Sequence, residues 1–495
     1  MKKNLKTLPV CILLLVACAF PGPCKEAEKA EKKEKKVSTP NIRSWVRPGL
    51  EFLAFMGYSQ TRYWTKYSKF IEDWQYNFNW HDQSKRWFTL DAWRFDSNAF
   101  SLNWTHALSG CIYYNFARTS GLSQKNAYLF TLAASAYWEY VVEWREVVSF
   151  NDMIFTPVGG YVTGEMWYRL TRALQNRFKP IAFALNPTLV FNPSKRLGEN
   201  DKGRDWVLTG EFSLIAGSEH RSAGFGSRPT QSLSFSGYIR SGGHRDHFGH
   251  LEVEMRYADD SISETSFFCM VPHSLMPDSD KRPPILTFNW ASAFSFYQRK
   301  ALADYDSDAY QIHVSPEEML EIPRNYQDKM AVIHMLGPQV HHHLNRGGLM
   351  LDSTLSLFTD FSLCNSLALN EYSRENDLHS LTSTAFAYGY YYGLGLSLLL
   401  ENALRVGDLA LSTTLGFSQL WSINTLDRFR EDPSLKNPGC HDGVLNYRAV
   451  FSWSPFPWPL ALQVKLEGRS RWGSLDKTRV SESMSFLAVG LSAKF

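Results

Sequence analysis

Glu139 and Glu143 stand four residues apart in a stretch of helical character, which places their carboxylates one turn apart on one face. His106, Asp152 and Glu165 lie in neighbouring segments that could bring them to that face. Carboxylates with a histidine can bind a divalent cation or work as general acid and base. The same groups equally suit a polar network that locks helices together, and by sequence alone that is the reading we adopt. No catalytic residue, metal site or cofactor is assigned, and a non-enzymatic role leads. Other candidates are weaker. His341-His342-His343 is a run, so its side chains cannot all face one point on a strand. His244, His247 and His250 recur every third residue, but Gly243 and Gly249 beside them suggest a turn. Gly224-Phe225-Gly226-Ser227 lacks the lysine and the strand–helix setting of a phosphate loop. No G-x-S-x-G nucleophile motif is present.

The candidate acids need helices to position them. Residues 103–119 can form one, with His106, Gly110 and Tyr114 four apart on one face. Gly121 would stop it in a left-handed cap. Ser123 opens a second helix as N-cap, which is expected to run through the two glutamates to about Val148. Ser149 and Asp152 have capping-box spacing. Gly160 and Gly164 form a small-xxx-small step that admits another backbone, and a helix follows through Glu165 to about Leu174.

These residues resemble a known family. The stretch DAWRFDSNAFSLNWTHALSGCIYYNFARTSGLS and the later SAYWEYVVEWREVVSFNDMIFTPVGGYVTGEMWYRL are similar to the bacterial domain of unknown function 3943. The ordered features are His106 with Gly110, Tyr113-Tyr114 before Arg118 and Gly121, Trp138-Glu139 with Glu143, Asn151-Asp152, Thr156-Pro157, Gly159-Gly160 and Gly164-Glu165. Val147-Val148-Ser149-Phe150 stands where a proline-containing approach belongs. The similarity spans roughly residues 88–175 and implies an envelope protein, often with barrel-like sequence downstream; it implies no reaction.

Beyond this region the chain alternates. Leu251, Val253, Met255 and Tyr257 interleave with His250, Glu252, Glu254 and Arg256. Leu286, Phe288, Trp290, Phe294 and Phe296 form another such set, and so do Leu460, Leu462, Val464 and Leu466. Tyr388, Tyr390, Tyr392, Leu394, Leu396 and Leu398 continue the pattern. Period two means strand. Segments of about ten residues separated by polar turns, in a chain with 16 Trp and 23 Tyr, fit a transmembrane barrel with aromatic girdles. The final run Leu487, Val489, Leu491, Ala493, Phe495 resembles the C-terminal signal of outer-membrane barrels. About 12–14 strands are expected in all, roughly a dozen of them after residue 175 and one near Leu50–Tyr58, with loops at 278–283 and 427–442.

The ends set the compartment. Lys2, Lys3 and Lys6 precede a short apolar run from Leu8 to Phe20, as in a secretory signal. Its end reads two ways: cleavage after Ala19, or a lipobox that makes Cys18 a lipidated N-terminus. Residues 20–45 are rich in Lys and Glu and read as a solvated tether. Residues 1–36 carry nine Lys and four Glu, a local +5 within a total of +3, which leaves −2 for the rest. Such a body offers no basic surface for nucleic acid. The seven cysteines show no metal-ligand spacing.

The expected organisation is therefore a signal (1–19), a tether (20–45), a strand and aromatic-rich connection (46–102), a helical module (103–175) and a barrel (176–495). The fold class is mainly β: a transmembrane antiparallel barrel with a helical module that plugs or caps it. The expected partners are outer-membrane lipid and, through the Phe495 strand, the barrel-assembly machinery. The function is passage, binding or scaffolding in the outer membrane. The alternatives are an outer-membrane enzyme acting on lipid or envelope polymer through the His/Glu/Asp cluster, and a periplasmic lipoprotein.

Overall fold

The computed structural model describes residues 43–67, 75–95, 100–177, 179–190, 207–223, 226–242, 249–258, 261–274, 285–300, 327–427, 432–455 and 458–494. The signal, the Cys18 lipidation candidate, most of the tether, His244, His247, the 278–283 loop and Phe495 lie outside them.

Twelve antiparallel strands close into a barrel. After a two-residue parallel pair, β1 (Trp93–Arg94) with β2 (Val148–Ser149), the wall consists of β3 (Val207–Ala223), β4 (Gly226–Gly242), β5 (Gly249–Ala258), β6 (Ser261–Ser274), β7 (Leu286–Lys300), β8 (Gln327–Arg346), β9 (Leu349–Asn365), β10 (Tyr391–Val406), β11 (Leu409–Ser422), β12 (Cys440–Trp453), β13 (Leu460–Leu475) and β14 (Thr478–Lys494). β14 pairs with β3, which removes both sheet edges. Two-residue turns at Gly347-Gly348, Gly407-Asp408 and Asp476-Lys477 close hairpins. Their positive φ at Gly347 (59°), Gly348 (84°), Gly407 (56°) and Asp476 (51°) matches the strand twist.

The alternation read from sequence divides the wall as expected. Leu394, Leu396, Leu398, Leu462, Val464, Leu466, Leu487, Val489 and Leu491 are exposed on the outside. Their neighbours in sequence turn inward as a charged lattice. Arg256 on β5 reaches Glu467 on β13 at 3.1 Å, and Lys465 on β13 reaches Glu254 on β5 at 2.7 Å. These strands are not neighbours, so the pairs cross the lumen. Arg469 joins Glu264 at 3.1 Å, Arg299 joins Glu482 at 2.6 Å, and Arg471 joins Asp328 and Asp442.

Seven helices matter for position. Six precede the barrel: α1 (Arg43–Arg62), α2 (Trp80–Phe88), α3 (Phe100–Thr119), α4 (Gln124–Tyr137), α5 (Gly160–Arg177) and α6 (Lys179–Leu185). The seventh, α7 (Leu367–Glu375), lies between β9 and β10.

The module docks on the outer wall, not in the lumen. Pairing aligns Ile239, Leu251, Cys269, Phe294, Ile333, Phe361 and Leu394 as one rank across seven strands, all on the apolar face. The first six pack with Ala107, Tyr114, Phe155, Val162 and Met166 of the module, whereas Leu394 is 46% exposed. This corrects the expectation that the N-terminal module plugs the lumen or caps its mouth. An apolar helix face buries best against apolar wall, and the lumen is already filled by ion pairs. A different segment closes one end: Ala368, Leu369 and Tyr372 of α7 pack on the inward-facing Met330, Val332, Cys364, Tyr391, Leu420 and Val444.

Other expectations change in detail. The strand near Leu50–Tyr58 is helix α1. Its alternating apolar residues also fall at helical spacing, and Phe52 and Met56 are the buried pair against Tyr113, Phe116 and Ala134. Tyr388 and Tyr390 precede β10, because Ser383 caps a short helix over Thr384–Ala387. The second helix of the module stops at Tyr137, not near Val148. α5 runs past 175 to Arg177 and α6 covers Lys179–Leu185, the barrel's first described strand starts at Val207, and the 427–442 loop ends as β12 begins at Cys440.

Candidate functional site

The site is built by a helix that fails to continue. After α4 the chain widens into a π-helical turn, Trp138–Val142, where Glu143 N–H reaches Trp138 O at 3.0 Å. Such turns often mark functional positions. The helix end leaves carbonyls open, and Arg86 of α2 closes them. Its guanidinium donates to the carbonyls of Glu139, Tyr140 (3.2 Å), Glu143 (2.8 Å) and Glu146 (2.6 Å). Trp138 Nε1 donates to Glu143 Oε1 at 2.6 Å.

The next turn brings Asp152. Ser149 Oγ accepts from Asp152 N–H at 3.2 Å, the first half of the expected capping box. The second half is replaced: Ser149 N–H donates at 2.8 Å to Glu139 Oε2 rather than to Asp152. Asp152 Oδ2 is left to face His106 Nδ1 of α3 at 3.2 Å. Asn151 Nδ2 donates to Asp152 Oδ1 at 2.8 Å and to Asn103 Oδ1 at 3.3 Å.

Glu139, Glu143 and Asp152 therefore converge, with one oxygen from each within 4.8 Å of the others. Glu139 is 1% exposed, and its Oε1 has no hydrogen-bond partner. Burial, and next the Asp152 charge, push the Glu139 carboxyl well above the usual carboxylate range. Three acids this close can share protons or hold a hard divalent cation through oxygen.

Glu165 belongs elsewhere. It is fully buried on α5 and accepts from Arg118 Nε (2.8 Å), Arg169 Nε (3.0 Å), Tyr114 Oη (2.8 Å) and Gln124 Nε2 (2.8 Å). Burial alone would raise its carboxyl, but Arg118 and Arg169 outweigh it and hold it at about 2. This is the helix-locking network, and it separates Glu165 from the other four candidates. The glycines do what their spacing implies. A Cβ on Gly110 would lie 1.8 Å from Thr156 O, one on Gly160 2.4 Å from Gly110 C, and one on Gly164 2.8 Å from Tyr114 Cβ. Gly159 meets Ala107 in the same seam. α3 and α5 thus touch backbone to backbone. Gly121 takes φ 89°, and Ser123 caps α4 through Asn126 N–H, as expected.

The other described candidate histidines lie on barrel strands. His341 and His343 both reach Asp352, at 3.6 and 2.6 Å, while His342 pairs with Ser353 on the other face. His250 lies 3.4 Å from Glu401. Sequence reasoning missed one relay, Ser295 Oγ to His334 Nε2 (3.0 Å) and His334 Nδ1 to Asp360 (2.8 Å), drawn from three adjacent strands. Asp360 also accepts from Ser397, and the relay faces the ion-filled lumen, so we read it as part of that lattice. Arg86 was missed too. Its only sequence signal is a basic residue 53 positions before the first of the four carbonyls that it closes.

The family model "Domain of unknown function (DUF3943)" matches residues 92–194, which contain every acid of the site and the whole α3–α5 seam. No curated protein matches the chain. Solved structures that resemble it include the translocator domain of the autotransporter NalP from Neisseria meningitidis (TM-score 0.26, 10% identity, 67% of this chain and 98% of that one). Others are the outer membrane protease OmpT from Escherichia coli (0.18, 8%, 59% and 98%) and OprB from Pseudomonas putida (0.20, 9%, 60% and 95%).

Proposed function

We propose that the chain is an outer-membrane β-barrel of binding or scaffolding type, with a lumen that does not serve as a pathway and a working site in the wall-docked helical module. The outer wall supports the membrane setting. Leu394, Leu396 and Leu398 on β10, and Leu487, Val489 and Leu491 on β14, form bare apolar ranks of a kind that water does not tolerate over a whole barrel. The bare β14 also suits the expected handover by barrel-assembly machinery. The observation that carries the non-conducting role is the lattice that crosses the lumen, Arg256–Glu467 and Lys465–Glu254, with α7 closing the end beyond it. Passage, one of the three roles expected from sequence, thereby loses its support. The enzyme alternative keeps one supporting observation, the unpartnered Glu139 Oε1 beside two other acids.

The test is heat-modifiability and ion conductance of protein refolded in lipid, for the full chain and for a version lacking residues 43–190. Both are expected to give a compact, heat-sensitive form and both to be electrically silent. Conductance that opens on removal of the module would restore the plug. Protein that stays soluble without detergent and shows no compact form in lipid would sink the membrane reading.

A further inference from the structure

We propose that Glu139, Glu143 and Asp152 form a binding site for one divalent cation of the oxygen-preferring class, such as Mg²⁺, Mn²⁺ or Ca²⁺. Metal–oxygen distances of roughly 2.0–2.6 Å put the ligand oxygens of one ion about 3–5 Å apart, the span these three acids already occupy at 4.8 Å. All three are carboxylates, without thiolate, which favours hard cations over zinc or copper. The cluster lies inside the module, with Glu139 and Asp152 at 1% and 2% exposure, so water does little to screen their mutual repulsion.

Neighbouring donors hold the carboxylates in place: Trp138 Nε1 on Glu143, Ser149 N–H on Glu139, and His106 and Asn151 on Asp152. Arg86, the guanidinium beside the site, directs its donors to four backbone carbonyls. It fixes the turn that carries Glu139 and Glu143. Ser149 N–H anchors Glu139 Oε2 and leaves Oε1 without a partner. His106 and Asn151 steady the two oxygens of Asp152, as groups behind a metal ligand do. A buried carboxylate oxygen without a donor is costly unless something positive meets it, and a divalent ion among the three acids would supply that charge. The site stands or falls independently of whether the barrel spans a membrane, since every residue in it belongs to the helices and turns in front of the barrel.

The experiment is a Mn²⁺ titration of the refolded, chelator-stripped full chain, followed by electron paramagnetic resonance, with Mg²⁺ and Ca²⁺ as competitors. One Mn²⁺ per chain is expected, displaced by at least one of the two. Glu139→Gln and Asp152→Asn are each expected to weaken binding tenfold or more, while Asp91→Asn, an exposed acid of the same module, leaves it unchanged. A second readout separates a metal site from a packing role. Without metal, Glu139→Gln removes repulsion and should raise the unfolding temperature of the module; with saturating Mn²⁺ the wild type should become the more stable. No stoichiometric Mn²⁺ in the wild type, or binding that survives both substitutions, would overturn the site. Glu139→Gln protein less stable than wild type with and without Mn²⁺ would mark the cluster as structural only and would equally overturn it.

Discussion

Four acids and one histidine of the module divide into two chemistries, and their partners decide which is which. Glu165 is matched by two arginines, so it is a lock. Breaking a buried pair by removing one partner typically costs about 3–5 kcal/mol. Glu165→Ala is therefore expected to destabilise the module by that order, read as a lowered urea midpoint in near-ultraviolet circular dichroism. The pH dependence follows from its depressed folded-state carboxyl, held at about 2 by Arg118 and Arg169 against burial. An unfolded glutamate titrates near ~4.3. The stabilisation is thus complete above that value and is lost as pH falls from about 4.3 through about 2. Wild type should lose stability over this window, and Glu165→Gln should flatten the loss. Glu139 behaves in the opposite sense. Its raised carboxyl means protons compete for it at higher pH than for an ordinary glutamate, so Mn²⁺ affinity should drop as pH is lowered from 8 to 5.

At the scale of elements, the seam between α3 and α5 positions the site. His106 and Gly110 share one face of α3; Gly110 and Gly160 give the closest approach, and their contact sets where His106 meets Asp152. Gly110→Ala places a Cβ against the Thr156 carbonyl, a backbone atom that cannot swing aside. Overpacking of this kind costs about 1–3 kcal/mol. Gly49→Ala, with nothing within 4 Å of the new Cβ, is the matched control and should leave the module's urea midpoint within error or slightly raised. A Gly110→Ala midpoint equal to the control's would mean that the helices part without cost. The capping spacing, the left-handed Gly121 and the small-xxx-small step were legible because each depends on two or three residues close in sequence. The break at Trp138 was not. Glu139 to Val148 has the composition of a helix, and the agent that ends it, Arg86, arrives from α2.

For the whole molecule, the proposed outer-membrane setting and the arrangement of turns together predict an orientation. β3 starts and β14 ends at one rim, which also carries the tight turns at Gly347-Gly348 and Gly407-Asp408. The opposite rim carries the α7 segment and the turn at Asp476-Lys477. Outer-membrane barrels keep short turns in the periplasm and longer loops outside. A cysteine introduced at Asp476 should therefore react with an impermeant maleimide on intact cells, and one at Gly407 only after permeabilisation. The four described native cysteines, three of them buried, leave a low background. Reversed labelling would invert the orientation, and no difference would remove the barrel from the membrane.

Sequence by itself determined the barrel and the faces of its strands, and it marked the family-like helical stretch in front of them, because period-two alternation and local caps are properties of neighbouring residues. The outward ranks from Leu251 to Leu491 and the inward ranks of Glu254, Arg256, Lys465 and Glu467 were readable as two sets. What that alternation could not say is which inward charges meet across the lumen, since Arg256 and Glu467 are 211 positions apart. Nor could it say which side of the wall would receive the helices. An apolar outer rank is equally ready for lipid or for protein. Only the tertiary structure covers Leu251, Phe294 and Phe361 with helix while leaving Leu394 of the same rank bare. The same holds for the site: Glu139 and Glu143 were paired by spacing, but Glu165 was drawn away by two arginines, and Asp152 was turned toward His106 when Glu139 took the N–H that a capping box would have given it.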